Sequence, residues 1–323
     1  MNQRNRVIVA VVAAVLLAGA AVFYVVGRST PSVAAPESAP ITSDARGKIQ
    51  VLTNGMLSTV ARADSRGPRS ITEQQCDRAY TAKGTVACLR PVDALTGTHL
   101  VVFDAAMAER KSIPLTGFPN RLRVSASGRM VSWTVFVGGH SYSTGDFSTR
   151  TGILDTQTGQ VTDTLEGFAV TNDGAPVQAV DVNFWGVTFT ADDNRFYATM
   201  STGGKRYLIE GDLAARTART LTANVECPSL SPDGKRVAYK SAIDAEPAKG
   251  WRLSVMDLAT LKSTPLAETH SVDDQAAWLD DATVAYSLQR DDGVNDVWTV
   301  QADGSGQPLL TIEGANSPAV IQG

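Results

Sequence analysis

The sequence predicts an all-β protein, a six-bladed β-propeller with a composite closing blade, preceded by one N-terminal transmembrane helix. Three observations carry the propeller. A strand–turn–strand unit recurs at about 40–50 residues, the period of propeller blades. A second, equally regular strand pair follows each unit. The chain ends on a fragment of the unit that its beginning can complete.

The first element is the apolar run Val7 to Gly27, 21 residues without a charge. As a helix it would span about 31 Å, the thickness of a hydrocarbon core. Arg4 and Arg6 precede it and hold positions 1–6 in the cytoplasm. The run reads as an uncleaved signal-anchor over 7–27, although "SVAA" (Ser32–Ala35) offers a cleavage site for the alternative, a processed export signal. Positions 28–46, with three prolines among Ala and Ser, read as an extended linker. The expected location is therefore the cell membrane, single-pass, with the C-terminal domain extracytoplasmic. The part beyond Arg28 has 26 basic and 33 acidic residues, a net of −7. No basic patch points to nucleic acid.

The domain itself covers 47–323. Its units are "CDRAYTAKGTVACL" from Cys76, "RLRVSASGRMVSW" from Arg121, "WGVTFTADDNRFYAT" from Trp185, "PSLSPDGKRVAYK" from Pro228 and "QAAWLDDATVAYS" from Gln275. Their turn positions Gly84, Gly128, Asn194, Gly234 and Asp281 are 44, 66, 40 and 47 residues apart. The second halves also align: "HLVVFDAAMAERKSIPL", "TGILDTQTGQVTDTL", "RYLIEGDLAARTARTL", "WRLSVMDLATLKSTPL" and "NDVWTVQADGSGQPLL". Each blade thus has four strands, A to D. The sixth A strand is "NSPAVIQG" (Asn316–Gly323), whose strands B, C and D are "GKIQVLT", "GMLSTVARA" and "GPRSITEQ" near Gly47.

"LSPDGKRVAYKS" followed by "LSVMDLATLKSTPL" resembles the repeat of TolB-type six-bladed propellers, which also occurs in the propeller domains of prolyl-oligopeptidase-like enzymes. The resemblance implies a binding or scaffold role in the bacterial envelope, with an envelope protein or peptide as partner. It does not extend to the N-terminal α/β domain of TolB.

No catalytic constellation stands out, and an enzyme is not expected. The nearest approach to a hydrolase elbow is "GHSYS" at Gly139, which ends in Ser143 where the motif needs Gly. His99, His140 and His270 fall in different repeats. The acidic pairs Asp192-Asp193, Asp273-Asp274, Asp280-Asp281 and Asp291-Asp292 read as turn caps, so neither metal nor cofactor is expected. The competing class is an enzyme with an axial pocket, lactonase-like or glycan-processing. Cys76 and Cys88 flank one A–B hairpin and form a disulfide if it brings them into range; two buried thiols are the alternative. Cys227 is left over beside Pro228.

The A–B turns are short, so one face is regular. The B–C loops are longer: 136–150, 241–250 and 289–296. Per-repeat insertions gathered on one face often mark a binding face. His140, Tyr142 and Phe147 are its candidate contacts, and the loop that carries them accounts for much of the 66-residue step.

Overall fold

The computed structural model describes residues 47–93, 97–138 and 148–321. They lie in one compact unit, Ser38–Gly323. The expected anchor and linker fall outside the described residues. Within those residues no helix is long and apolar enough to cross a membrane.

Six sheets form the six blades, and within each the A to D strands pair antiparallel. In blade 2, strands A to D are Arg78–Ala82, Thr85–Asp93, Gly97–Phe103 and Glu109–Leu115. Blade 3 runs Phe118–Val124, Met130–Val137, Ser148–Asp155 and Val161–Thr162. Blade 4 runs Asn183–Phe189, Arg195–Thr202, Lys205–Asp212 and Thr217–Ala223. Blade 5 runs Glu226–Leu230, Arg236–Ala242, Trp251–Asp257 and Ser263–Pro265. Blade 6 runs Ala277–Trp278, Thr283–Gln289, Asn295–Gln301 and Leu309–Ile312. Blade 1 takes strand A from Asn316–Val320 and strands B to D from Lys48–Thr53, Met56–Ala61 and Arg69–Gln75. The composite closure is therefore present, with Ile49 opposite Val320 and Gln50 opposite Ala319.

The sequence dictates the blades through burial. A propeller sheet is covered by a neighbour on each face, so its middle strands are apolar on both sides. Strand B of blade 3, "MVSWTVFV", is buried along its first six residues, whereas strand D of blade 2, "ERKSIPL", is largely exposed. The core is accordingly divided into clusters between successive blades. Leu89, Leu100, Val131 and Trp133 fill the space between blades 2 and 3. Leu253, Trp278, Tyr286 and Val300 do the same between blades 5 and 6, and Ile49, Val51, Ala285 and Val297 between blades 6 and 1.

The A–B turn repeats its backbone geometry in blades 3, 4 and 5. The Ser125 N–H donates to the Met130 carbonyl and the Gly128 N–H to the Ser125 carbonyl, both at 2.8 Å. Ser231 with Arg236 and Gly234 with Ser231 repeat this at 2.8 and 2.9 Å, and Thr190 with Arg195 and Asp193 at 3.0 and 3.2 Å. The turn needs a left-handed residue. Gly128 and Gly234 supply it at φ 80° and 70°, and Asp193 at φ 58°.

Blade 4 departs from the expected four strands. Ala169–Asn172 adds to its outer edge, parallel to strand D, and a short strand Ala175–Pro176 follows. The long step between the turns of blades 3 and 4 thus has a second source besides the B–C loop of blade 3. The segment is short and runs from two apolar residues into turn residues, so its sequence reads as connection until a neighbouring strand edge is available.

An axial ionic cluster at the long-loop face

Strand order fixes the two faces. A–B and C–D turns lie on one; B–C loops and D–A connections lie on the other. The starts of the A strands and the ends of the B strands therefore meet around the axis on the long-loop face. There the chain gathers charge that its sequence does not advertise.

Arg121 and Arg123, two residues apart on strand A of blade 3, reach across the axis. Arg121 Nε donates to Cys227 Sγ of blade 5 at 3.3 Å, and its Nη2 to Asp273 Oδ1 before blade 6 at 3.2 Å. Arg123 Nη2 donates to the Ala276 carbonyl at 2.9 Å, with its guanidinium 4.2 Å from the Tyr80 ring centroid of blade 2. Arg78 Nε donates to the Asn120 carbonyl at 2.9 Å. Gln275 donates to the carbonyls of Val187 and Pro228, and Trp278 Nε1 to that of Ser229. Long polar side chains thus fill the channel and bond blades that are not neighbours.

Glu226, at the start of strand A in blade 5, faces Arg206 at 3.0 Å and Lys240 at 3.6 Å. Lys240 also pairs with Asp273 and lies 3.9 Å from the Trp251 ring centroid. Glu226 and Lys240 side chains are each 4% exposed, while Asp273 is 66% exposed and marks the mouth. Burial pushes the Glu226 carboxyl above its usual range, against the pull of Lys240 and Arg206. For Asp273 burial acts upward too, but Lys240 and Arg121 outweigh it and hold the carboxyl below the usual range. Burial lowers the Arg78 guanidinium, with Asp274 opposing.

Asp273 is therefore not the turn cap that its sequence suggests; it is an ion-pair partner of two cations from other blades. Asp274 does act locally, accepting from the Gln275 and Ser287 N–H groups. Asp192 and Asp280 cap turns as expected, through N–H groups of Asn194 and Arg195 and of Ala282. Asp292 accepts from the Val294 N–H in the same way.

His140, Tyr142 and Phe147 lie outside the described residues, as does "GHSYS". What flanks that loop is described. Phe118, opposite Phe136 at its base, is 78% exposed. Val180, at the entry to blade 4, is 83% exposed, and Ile243 in the B–C loop of blade 5 is 37% exposed. Three successive blades thus present exposed apolar side chains on the long-loop face. His99 contacts Ser112 in blade 2 and His270 contacts Glu268 before blade 6, so these two are not brought together. Among the described residues no three His, Cys, Asp or Glu side chains converge as a metal site. Cys76 and Cys88 form a disulfide across the start of the blade 2 hairpin, and Cys227 is free and buried.

No family model matches the sequence, and no curated protein does. Solved structures do. TolB from Acinetobacter baumannii is 15% identical, with a TM-score of 0.62 over 85% of this chain and 67% of that one. A TolB-type protein of Agrobacterium tumefaciens is 11% identical, with a TM-score of 0.50 over 85% and 92%. A chain of the nidogen/laminin complex is 10% identical, with a TM-score of 0.56 over 84% and 97%. These likenesses show the fold alone. The chain is a six-bladed β-propeller, and its structural neighbours include TolB-like proteins.

Proposed function

We propose that the protein is a non-catalytic, extracytoplasmic binding propeller of the bacterial envelope, TolB-like in role. It is held to the membrane by its N-terminal helix and takes an envelope protein or peptide on its long-loop face. The observation that carries this reading is the exposure of Phe118 and Val180, with Ile243, on the long-loop face of three successive blades. A partner that covers these side chains would remove their apolar surface from water, which favours association. The axial mouth on the same face holds several arginines, a residue enriched where proteins meet. The nidogen/laminin complex is a case of this fold found in a complex of proteins. The axial-enzyme reading asks for carboxylates free to hold a metal or move a proton. Here Glu226 and Asp273 each face two cations, and no specific observation favours that reading.

The test is affinity capture from envelope extract followed by mass spectrometry. Phe118→Ser combined with Val180→Ser is expected to leave the melting temperature unchanged, because both side chains are exposed, and to reduce recovery of the captured partner at least tenfold, about 1.4 kcal/mol. Equal recovery by the variant and the parent would move the binding face elsewhere.

A further inference from the structure

The axial cluster holds more positive than negative charge. Arg78, Arg121, Arg123, Arg206 and Lys240 are set against Asp77, Glu226, Asp273 and Asp274, which leaves one cation over. The uncompensated part is local. Arg206, Lys240 and Arg121 have their carboxylates. Arg78 and Arg123 make carbonyl bonds only among the described residues, with no carboxylate at ion-pair distance. Arg123 is 4% exposed, and its Nε–H is buried with no hydrogen-bond partner among the described residues. Leaving a charged donor so placed costs more than an ordinary lost hydrogen bond.

Both arginines line one small cavity of about 30 Å³ on the axis, together with Asn120, Gln275, Ser317, Asp274 and Arg121, whose own charge is met by Asp273. Asp274 is the one carboxylate there, and both its oxygens already accept backbone N–H groups. A cavity of this size holds little more than two or three heavy atoms. Two guanidinium forks outside any ion pair, a net of one positive charge and a slot this small describe the complement of a single carboxylate, which is planar and monoanionic. A phosphate is bulkier and would bring surplus negative charge toward Asp274.

We infer that the axial cavity between Arg78 and Arg123 is a binding site for one carboxylate group. The group is carried either by a small organic acid or by the end of a peptide entering from the long-loop mouth. The site stands on the arginines alone and holds whether or not that face docks a protein.

Purified full-length protein labelled with 15N-arginine tests this. Acetate titrated against chloride at constant ionic strength is expected to move the Arg78 and Arg123 Nε–H resonances along one saturable curve. It should also raise the melting temperature. At ten times its Kd the folding constant rises about elevenfold. Arg78→Gln should abolish that increment while the chloride response stays. Should this variant fail to fold, the resonances of the parent decide. Tetraalanine with a free C-terminus that competes with acetate assigns a chain-borne carboxylate; if acetate alone binds, the source is a small acid. If the resonances follow ionic strength alone, or amidated tetraalanine acts like the free acid, the inference is wrong.

Discussion

Glu226 shows how the axis sets the energetics of individual side chains. It is buried between Lys240 and Arg206, and burial raises its carboxyl above the usual range. Glu226→Ala removes the shared partner of two cations. Breaking a buried pair costs about 3–5 kcal/mol, and the low end applies here because Lys240 keeps Asp273. Urea unfolding should therefore show a loss of about 3 kcal/mol. Glu226→Gln keeps the shape without the charge and should cost much less. The pH dependence distinguishes the two effects. With the folded carboxyl raised, the native state binds more protons than the unfolded chain from about pH 4.5 upward. The stability of the parent relative to Glu226→Gln should therefore fall as pH rises through that window and then level off. A constant difference between pH 4 and 8 would contradict the raised carboxyl. None of this was legible in the sequence. Arg78, Arg121 and Arg123 sit in short alternating strands and look like outward polar positions; only ring closure turns that polar side into the channel. Asp273 beside Asp274 looks like a turn cap because both functions use the same residue type. The available hint was arginine in the interior of strands that had to be innermost.

At the scale of the strand, two blades solve a packing problem in the same way. Trp133 and Phe196 lie on B strands directly opposite Gly152 and Gly211 on C strands. A Cβ at Gly152 would lie 2.2 Å from the Trp133 ring, and one at Gly211 would lie 2.1 Å from the Phe196 ring. Each ring lies flat over the facing backbone, which glycine alone permits. Neither glycine has a positive φ, so an alanine there meets a steric cost without backbone strain. Gly211→Ala is expected to destabilise by about 1–3 kcal/mol, the usual cost of overpacking, because Phe196 is fully buried and has nowhere to move. Gly159→Ala, on an exposed turn of blade 3 where no described atom lies within 4 Å of its Cβ, is the control for crowding; its φ of 75° gives it backbone strain instead, so its cost should not depend on a facing ring. Melting of Gly211→Ala at the parent's temperature would refute the packing argument. Here the sequence was informative. Strand pairs around a short polar turn, repeated at about 40–50 residues, mapped directly onto the blades, since each pair depends on local backbone chemistry. The added strand Ala169–Asn172 was not legible, because its ladder depends on an edge supplied from 217–223, nearly 50 residues on.

The ring as a whole depends on its last strand. Asn316–Val320 is the only piece of blade 1 that comes from the C-terminal end, and it joins strand B through Ile49–Val320 and Gln50–Ala319. The Gln50 side chain adds a bond to the Ser317 carbonyl, and the Ile321 N–H donates to the Lys48 carbonyl. Blade 1 is tied to blade 6 from its outer side as well, by Arg66 on the Leu310 carbonyl and Arg69 on the Gly314 carbonyl. Deleting residues 316–323 would leave these outer ties but strip strand B of its inner partner. Lys48–Thr53 would become an open edge, buried Pro318 and Ala319 would be lost, and the axial cavity would lose the wall at Ser317. An unpaired edge on an apolar strand templates association between copies. The truncated protein is therefore expected to lose its cooperative melt and to aggregate at concentrations where the parent is monodisperse. Removing only residues 322–323 deletes no described ladder bond and should change the melting temperature little. Light scattering alongside calorimetry separates the cases. If the long truncation melts cooperatively at the parent's temperature, closure is not what holds the ring, and the outer ties between blades 1 and 6 must suffice.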